Sequence, residues 1–219
     1  MSDITVTAFR WVPPFAQGLV RDLRVRWALE EAGLAYEEKL IGPDDQSTAA
    51  YRQLQPFGQV PVLEQGGLTL FESGAIVLHV AEQSSALLPS AVDARLRVRS
   101  WMFAALSTVE PPILALNALG MKAAANDGVV PTREQVAGRV DQRLDSLAAF
   151  LQGRQHLEGD FSAADLLMTT VLRVLRDTDR VASRPVLREY QARCEARPAF
   201  QRALTAQMDT FERHAPAKA

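Results

Sequence analysis

The sequence predicts two domains in series: an α/β domain with a mixed four-stranded sheet, followed by an all-helical domain. Before residue 84, short β-branched or alternating runs are interleaved with helical patterns. Two of these runs are joined by a Gly-Gly pair, a hairpin signal. After residues 84–91, which read as a linker, only helical patterns follow. We therefore expect domains at residues 1–83 and 92–219.

The first domain begins with an alternating, β-branched strand over residues 4–9. In the helix that follows, Leu23 and Trp27 share one face, and a polar set shares another face: Asp22, Arg26 and Glu30. Gly33 occupies the usual position after a helix end. The predicted elements are strand 4–9, helix 19–32, strand 36–40, short helix 47–53, strands 60–64 and 68–71, and helix 73–83.

This order of elements limits the topology of the sheet. The βαβ part needs a right-handed parallel crossover, and the ββα part needs a hairpin. A mixed four-stranded sheet with helices on its faces is the compact solution.

The second domain contains only helical patterns, predicted at 92–119, 132–151, 162–176, 186–196 and 199–211, with a loop at 123–131. Pro111 and Pro112 predict a bend in the first helix, because proline interrupts the backbone hydrogen bonds. At another helix start, Ser162 and Asp165 have the spacing of a capping box, and Phe161 precedes it as a hydrophobic staple would.

Composition and charge narrow the class of protein. Of the 219 residues 47% are hydrophobic and 23% charged, and the net charge of -2 does not favour nucleic acid or an anionic membrane. No uninterrupted apolar run approaches the roughly 20 residues of a membrane span. The start lacks the pattern of a signal peptide, and the one cysteine, Cys194, predicts neither a disulfide framework nor a Cys-rich metal site. We expect a cytoplasmic protein.

The Val60-Pro61 step is the first candidate functional feature. An X-Pro bond has only a small trans preference, so a fold can hold it cis. The residue before proline is extended, so Val60 can offer its N–H and C=O to an extended peptide. The structural alternative is an ordinary proline at the start of an edge strand.

Glu72 and Ser73 form the second candidate feature, at the start of a predicted helix. Ser73 suits the helix cap, and a helix N-terminus favours a bound carboxylate. Glu72 can hold an ammonium group, so the pair suits an α-amino-acid head. A plain helix cap is the structural alternative. In this order and at this spacing, the two features indicate a short peptide with a free amino-acid end.

Several segments together resemble the cytosolic glutathione transferase family, in particular its bacterial members. The runs Gln-Pro-Phe-Gly-Gln-Val-Pro-Val-Leu-Glu at 55–64 and Leu-Phe-Glu-Ser-Gly-Ala-Ile at 70–76 are similar to its thioredoxin-like domain. Residues 27–37 resemble the end of the family's first helix and its second strand, and residues 161–165 resemble its helical-domain capping box. Residues 99–112 resemble the helix that lines the second-substrate pocket. The resemblance spans almost the whole chain in the right order.

The resemblance implies roles for individual residues. Val60 would pair its backbone with the cysteinyl part of glutathione, with Pro61 cis. Glu72 and Ser73 would hold the γ-glutamyl end. The glycine carboxylate would face the neutral side-chain amides of Gln46 and Gln59. Because neither amide carries a charge, we expect modest glutathione affinity. The implied second-substrate pocket would include Trp101, Met102 and Leu106.

The loop after the first strand departs from the family. The family places a Tyr, Ser or Cys there to stabilise the glutathione thiolate, whereas residues 10–23 contain no Tyr, Ser, Thr or Cys. An unperturbed thiol has a pKa of about 8.5, so some group must favour the anion at neutral pH. Candidate side chains are Trp11, Gln17 and Arg21. The alternatives are backbone N–H groups at a helix start near Leu19, or a weak enzyme or mere binder.

The implied function is conjugation of glutathione to an apolar electrophile. The open alternatives are a glutathione-dependent isomerase, a peroxidase or disulfide reductase on the same site, or a non-catalytic binding module. The resemblance implies glutathione as co-substrate with no other cofactor and no metal. The expected partners are glutathione, a small hydrophobic electrophile and a second copy in a homodimer, with no nucleic acid and no membrane.

Overall fold

The computed structural model describes residues 3–121 and 132–216. The chain divides into two compact units, one formed by Met1–Pro89 with Ala196–Ala219 and the other by Ser90–Glu195. The predicted boundary placed everything from residue 92 to the end in one helical domain. In the structure the last helix, α10 (Pro198–Arg213), instead belongs to the first unit.

The first unit is built on a four-stranded mixed sheet, as predicted. Its strands lie in the order β2-β1-β3-β4. Strand β1 pairs in parallel with β2 and antiparallel with β3, and β3 forms the hairpin with β4. The bounds are β1 Ile4–Phe9, β2 Glu37–Ile41, β3 Val62–Gln65 and β4 Leu68–Phe71.

Three further helices complete this unit: α1 Asp22–Ala32, α2 Ala49–Leu54 and α3 Ser73–Glu82. Helix α1 ends at Gly33, whose φ of 66° lies in the left-handed region that favours glycine. Trp27 of α1 is fully buried and meets the Phe200 ring of α10 edge-on, with centroids 4.8 Å apart. This apolar contact is one of several that join the last helix to the first unit.

Among its described residues, the second unit consists of helices joined by loops, with one isolated β-bridge between Glu158 and Asp160. Its helices are α4 Val92–Ala104, α5 Glu110–Met121, α6 Arg133–Leu151, α7 Ala163–Arg173, α8 Asp179–Ala182 and α9 Pro185–Glu195. The short helix α8 was not predicted, and the predicted loop at 123–131 lies outside the described residues. Cys194 is buried, in keeping with a packed side chain.

The bend predicted at the proline pair takes the form of a π-helical stretch at Ala105–Val109, between α4 and α5. Proline has no N–H and clashes with the carbonyl four residues earlier. Pro111 and Pro112 therefore disturb the preceding turn, and the wider π turn accommodates the disturbance.

The capping box at the start of α7 is confirmed. The Ser162 backbone N–H and hydroxyl both donate to Asp165 Oδ2 at 3.0 Å, and Asp165 Oδ1 accepts from Leu157 N at 2.8 Å. The Tyr190 hydroxyl donates to the same Oδ1 at 3.0 Å. Asp165 thus occupies the capping-box position at which the longer Glu or Gln is more common.

Within the described residues, Val92–Leu119 is the one helical run whose length and composition match those of a membrane span. From the sequence alone no such run was expected. Of its most apolar window 33% is buried, and core helices of proteins that do not cross membranes have similar compositions. Length and composition alone are therefore weak grounds for a membrane-spanning role.

Candidate active site

The Val60–Pro61 peptide bond is cis, as the family resemblance implied. Val60 lies two residues before the first residue of β3, and its side chain packs in a buried cluster with Ile41, Tyr51 and Val62. The Tyr51 hydroxyl donates to the Gln59 backbone oxygen at 2.6 Å. The residues that lead into the cis bond are thus anchored from α2 and from the apolar core.

The turn before Val60 is anchored a second time by Gln46. Its Nε2 donates to the Gly58 oxygen at 2.6 Å. Gly58 has a φ of 65°, and a Cβ there would lie 2.7 Å from the Gln46 backbone oxygen, so only glycine fits. Gln46 therefore shapes the turn, while the neighbouring Gln59 is exposed.

The start of α3 differs from the predicted cap. Glu72, not Ser73, is the N-cap residue, and its φ of 69° makes it the one non-glycine residue with positive φ among the described residues. Such strained backbone is concentrated at functional sites. Ser73 is the first helical residue and is buried, whereas Glu72 is exposed. The two neighbouring side chains therefore differ in their exposure to solvent.

Arg24 is a site residue that the sequence patterns did not indicate. It lies in α1, is almost fully buried, and its Nη1 donates to Ser73 Oγ at 3.2 Å. An arginine can only donate, so Ser73 Oγ is the acceptor in this bond, and its own O–H can point to a ligand carboxylate. A buried arginine beside a helix N-terminus adds positive potential where an anion would bind.

The candidate thiolate residues lie between β1 and α1. The Gln17 Nε2 donates to the Val12 oxygen at 3.0 Å, so this amide is engaged within its own loop. Trp11 is half-buried. Arg21 is the N-cap residue of α1, and the helix begins at Asp22 rather than near Leu19. Two amides of the turn after Arg21 are already engaged, since Leu23 N donates to the Val20 oxygen at 3.0 Å and Arg24 N donates to the Arg21 oxygen at 3.1 Å.

Two residues of the polar face predicted for α1, Asp22 and Arg26, are buried, whereas Glu30 is half-buried. Arg26 is 1% exposed, and it donates to Asp22 Oδ2 at 2.7 Å and to Glu38 of β2. Burial raises the pKa of Asp22, although Arg26 and hydrogen bonds oppose the shift. Burial also disfavours the Arg26 cation, but attraction to Asp22 and Glu38 outweighs it and raises the pKa of Arg26. The charges of Asp22, Arg26 and Glu38 near the α1 start therefore compensate one another.

The structure brings some of the predicted residues together. In the first unit, Gln46 contacts the turn that precedes Gln59 and Val60, whereas the hydrogen bond of Ser73 joins it to Arg24, which was not predicted. In the second unit, Met102 is buried, and the Trp101 ring lies 4.5 Å from the Phe150 ring. Leu106 is half-buried in the π-helical stretch. A role in the second-substrate pocket stays a prediction for Trp101, Met102 and Leu106.

Comparisons with known proteins agree with this geometry. Residues 16–82 match the family described as Glutathione S-transferase, N-terminal domain. Glutathione S-transferase 3 of Zea mays is 33% identical over 204 residues, which cover 84% of this chain and 88% of the relative.

Two solved structures are also similar. One, the theta class glutathione S-transferase of Xanthomonas axonopodis pv. citri with glutathione bound, is 30% identical with a TM-score of 0.73 and coverage of 93% and 98% of the two chains. The other, a glutathione transferase of Burkholderia graminis with two glutathione molecules bound per subunit, is 25% identical with a TM-score of 0.78 and coverage of 100% and 90%. The extent of these matches shows that the chain belongs to the glutathione S-transferase family.

Proposed function

We propose that the protein binds glutathione on its first unit and conjugates the thiolate to an apolar electrophile. The observation that carries the proposal is the start of α3, where buried Ser73 accepts a hydrogen bond from buried Arg24 beside the strained Glu72. A helix N-terminus with a hydroxyl donor and a nearby cation suits a carboxylate, and Glu72 suits an ammonium group. The names of the relatives support the same ligand.

In this proposal each part of glutathione meets a different element. Glu72 and Ser73 hold the γ-glutamyl end, and Val60 pairs its backbone with the cysteinyl part, as in strand addition. Gln46 and Gln59 lie toward the glycine carboxylate. Neither of these two amides carries a charge, so glutathione affinity is modest, and a dissociation constant in the low micromolar range or tighter would contradict this part.

Arg21 is the candidate we favour for stabilising the thiolate. Arg24 contacts Ser73, and Arg21 lies three residues earlier, so the two residues share one side of the α1 start. Arginine keeps its charge at neutral pH, whereas Asp22 already compensates much of the positive end of α1. A nearby cation lowers the pKa of a thiol, and the thiolate then attacks the electrophile, forming a C–S bond as the leaving group departs.

The test combines binding with turnover. Titration of glutathione into the wild type should show binding, and chlorodinitrobenzene should be consumed. In Arg21→Ala the pKa of the bound thiol, followed by the ultraviolet absorbance of the thiolate, should rise. Turnover near neutral pH should fall about tenfold if that pKa rises by about one, because the thiolate fraction falls in proportion. Arg133→Ala, on an exposed position of the other unit, is the control. Wild-type glutathione binding without turnover of any substrate would favour a binding module.

A disulfide reductase is the second candidate. The similar Burkholderia graminis protein holds two glutathione molecules per subunit. In this reaction the first glutathione thiolate attacks a substrate disulfide and forms a mixed disulfide as one substrate thiolate departs. The second glutathione then attacks the mixed disulfide, forming glutathione disulfide and releasing the other substrate thiolate. Parallel assays with a disulfide, a peroxide and an isomerisable substrate test the reductase, peroxidase and isomerase activities, respectively. Each can then be compared with the conjugation rate.

We also propose a homodimer, on the basis of exposed apolar side chains. Phe57 is 64% exposed and meets the Phe71 ring edge-on at 6.2 Å. In the other unit, α4 exposes a helical stripe of Val92, Leu96 and Phe103. A second copy would cover such surfaces. Phe57→Asp should lower the mass measured by analytical ultracentrifugation from two chains to one, whereas Arg52→Asp, also exposed, should not.

The remaining assignments are a cytoplasmic, bacterial-type enzyme that needs no metal or redox cofactor. Conjugation forms a C–S bond without net oxidation or reduction, so the reaction needs no cofactor besides the co-substrate glutathione. Dialysis against a chelator should leave turnover unchanged.

A further inference from the structure

Gln207 of α10 contacts the start of α1 through a single amide. Its side chain is fully buried, and its Nε2 donates to the Val20 backbone oxygen at 3.3 Å and to Asp22 Oδ1 at 2.8 Å. Val20 and Asp22 are the neighbours of Arg21 on either side. A residue far along the chain, within the same compact unit, therefore holds both flanks of Arg21.

The chemistry of these contacts determines the orientation of the amide. Both partners are oxygen acceptors, so the nitrogen end of Gln207 must face α1. The Oε1 atom is then left without a hydrogen-bond partner among the described residues. A buried acceptor without a donor is unfavourable, so the orientation is determined by the α1 side.

The carboxylate that Gln207 contacts is itself held on both oxygens. Asp22 Oδ1 accepts from Gln207, and Oδ2 accepts from Arg26 Nε at 2.7 Å. Arg26 also donates to Glu38, which accepts from Thr210 Oγ1 at 3.0 Å. The first turn of α1 is thus connected both to the sheet and to the last helix.

From these contacts we infer that Gln207 is a positioning residue, which holds the Val20 backbone and the Asp22 side chain on either side of Arg21 and so places that cation in the glutathione site. The inference rests on the proposed function. An arginine side chain is long and flexible, so its reach depends on where its backbone is held. Small displacements of a catalytic group are costly, because transition-state stabilisation depends strongly on distance.

The lead variant is Gln207→Leu, which keeps the approximate volume and removes both hydrogen bonds. The matched control is Thr210→Val, a buried position one turn later on the same helix. It removes a contact from α10 to Glu38, which keeps Arg26 as a partner. If Gln207→Leu does not fold, Gln207→Met, which is unbranched and close in shape to glutamine, takes its place.

Two readouts address different parts of the inference. Hydrogen exchange of the amides in residues 20–24 should become faster in Gln207→Leu and stay near wild type in Thr210→Val. In turnover, Gln207→Leu should lower kcat/KM for glutathione at about pH 6.5 about five- to tenfold, with a higher pKa of the bound thiol, and Thr210→Val should change neither.

The double variant with Arg21→Ala identifies the residue through which Gln207 acts. In that background, Gln207→Leu should cause little further loss of turnover, since the cation that it positions is already gone. A full additional loss would overturn the inference, as would unchanged exchange in the single variant. A wild type that neither binds glutathione nor turns over a substrate would instead refute the proposed function, while the exchange readout would still support or overturn the anchoring by Gln207.

Discussion

The starts of α1 and α3 are two helix N-termini in one compact unit, and they are arranged in opposite ways. At α3 the N-cap residue Glu72 is exposed, and Ser73 accepts a hydrogen bond from the buried cation Arg24. At α1 the first residue, Asp22, supplies its own buried anion, held by Arg26 and Gln207. The α3 start can therefore bind the anionic group of a ligand. At the α1 start, the Asp22 carboxylate already occupies much of the anion-binding capacity.

This difference explains why binding is easier to assign than catalysis. A carboxylate ligand gains from the α3 N-terminus without displacing an internal group. A thiolate near α1 must instead draw on Arg21, because Asp22 already compensates the positive end of that helix. Four variants, from the largest expected effect to the smallest, test the two helix starts and the turn before Val60.

Arg26→Met should destabilise the protein by about 3 to 5 kcal/mol, because it leaves the Asp22 carboxylate buried without its cation. Urea unfolding near neutral pH measures the free energy. A raised folded-state pKa for Asp22 means that its contribution to stability is greatest below the ordinary pKa and declines as pH rises. The difference in unfolding free energy between the wild type and Arg26→Met should therefore become smaller as pH is lowered toward about 4.

The control for Arg26→Met is Lys39→Met. Lys39 and Glu64 form an exposed pair at 3.4 Å, which should contribute about 1 kcal/mol or less. Equal losses in the two variants would show that the charges at α1 are not a buried structural network.

Ser73→Ala should weaken glutathione binding about ten- to hundredfold, since a hydrogen bond to a charged ligand contributes roughly 1.5 to 3 kcal/mol. Isothermal titration measures the dissociation constant. Ser146→Ala, an exposed serine of α6 whose hydroxyl donates to the Gln142 oxygen at 2.9 Å, is the control. Unaltered affinity in Ser73→Ala would remove the α3 start from the binding site.

Tyr51→Phe should cost about 1 kcal/mol of stability near neutral pH, by removing the hydrogen bond to the Gln59 oxygen. Burial raises the pKa of Tyr51 to about 12. Between about pH 10 and pH 12 the unfolded tyrosine ionises while the folded one stays neutral, so the wild type loses stability as pH rises. Unfolding at several pH values should show its advantage over the variant decreasing, and a constant difference would contradict this.

Gln59→Lys should tighten glutathione binding by up to about fivefold, since an exposed charge pair contributes about 1 kcal/mol or less. The gain should disappear at high salt, because exposed charges are screened. Gln53→Lys, an exposed position on α2, is the control. Weaker binding in Gln59→Lys would place the glycine carboxylate elsewhere.

Local patterns predicted much of the fold. Strands β1 and β4 have the predicted bounds, and the Ser162–Asp165 capping box is present. Each depends on neighbours within a few residues, where alternation and capping chemistry act. The bend before Pro111 was predicted, but its π-helical form depends on how the whole run packs.

Burial of charge was the main feature that the sequence patterns did not predict. The helical spacing placed Asp22 and Arg26 on one polar face, and such a face is usually solvated. Packing by β2 and α10 covers that face, so the two charges must pair with each other and with Glu38. The pattern of one helix does not reveal which later element will cover it.

By itself the sequence determined the order of strands and helices, the Val60-Pro61 turn and the Glu72-Ser73 helix start, because each is encoded in contiguous residues. Only the tertiary structure brought Arg24 to Ser73 and Gln207 to Val20 and Asp22, and placed α10 in the first unit. These contacts join residues 49, 187 and 185 positions apart, far beyond the reach of periodicity or capping rules. Such contacts form only when the core packs, because their donors and acceptors are then removed from water together.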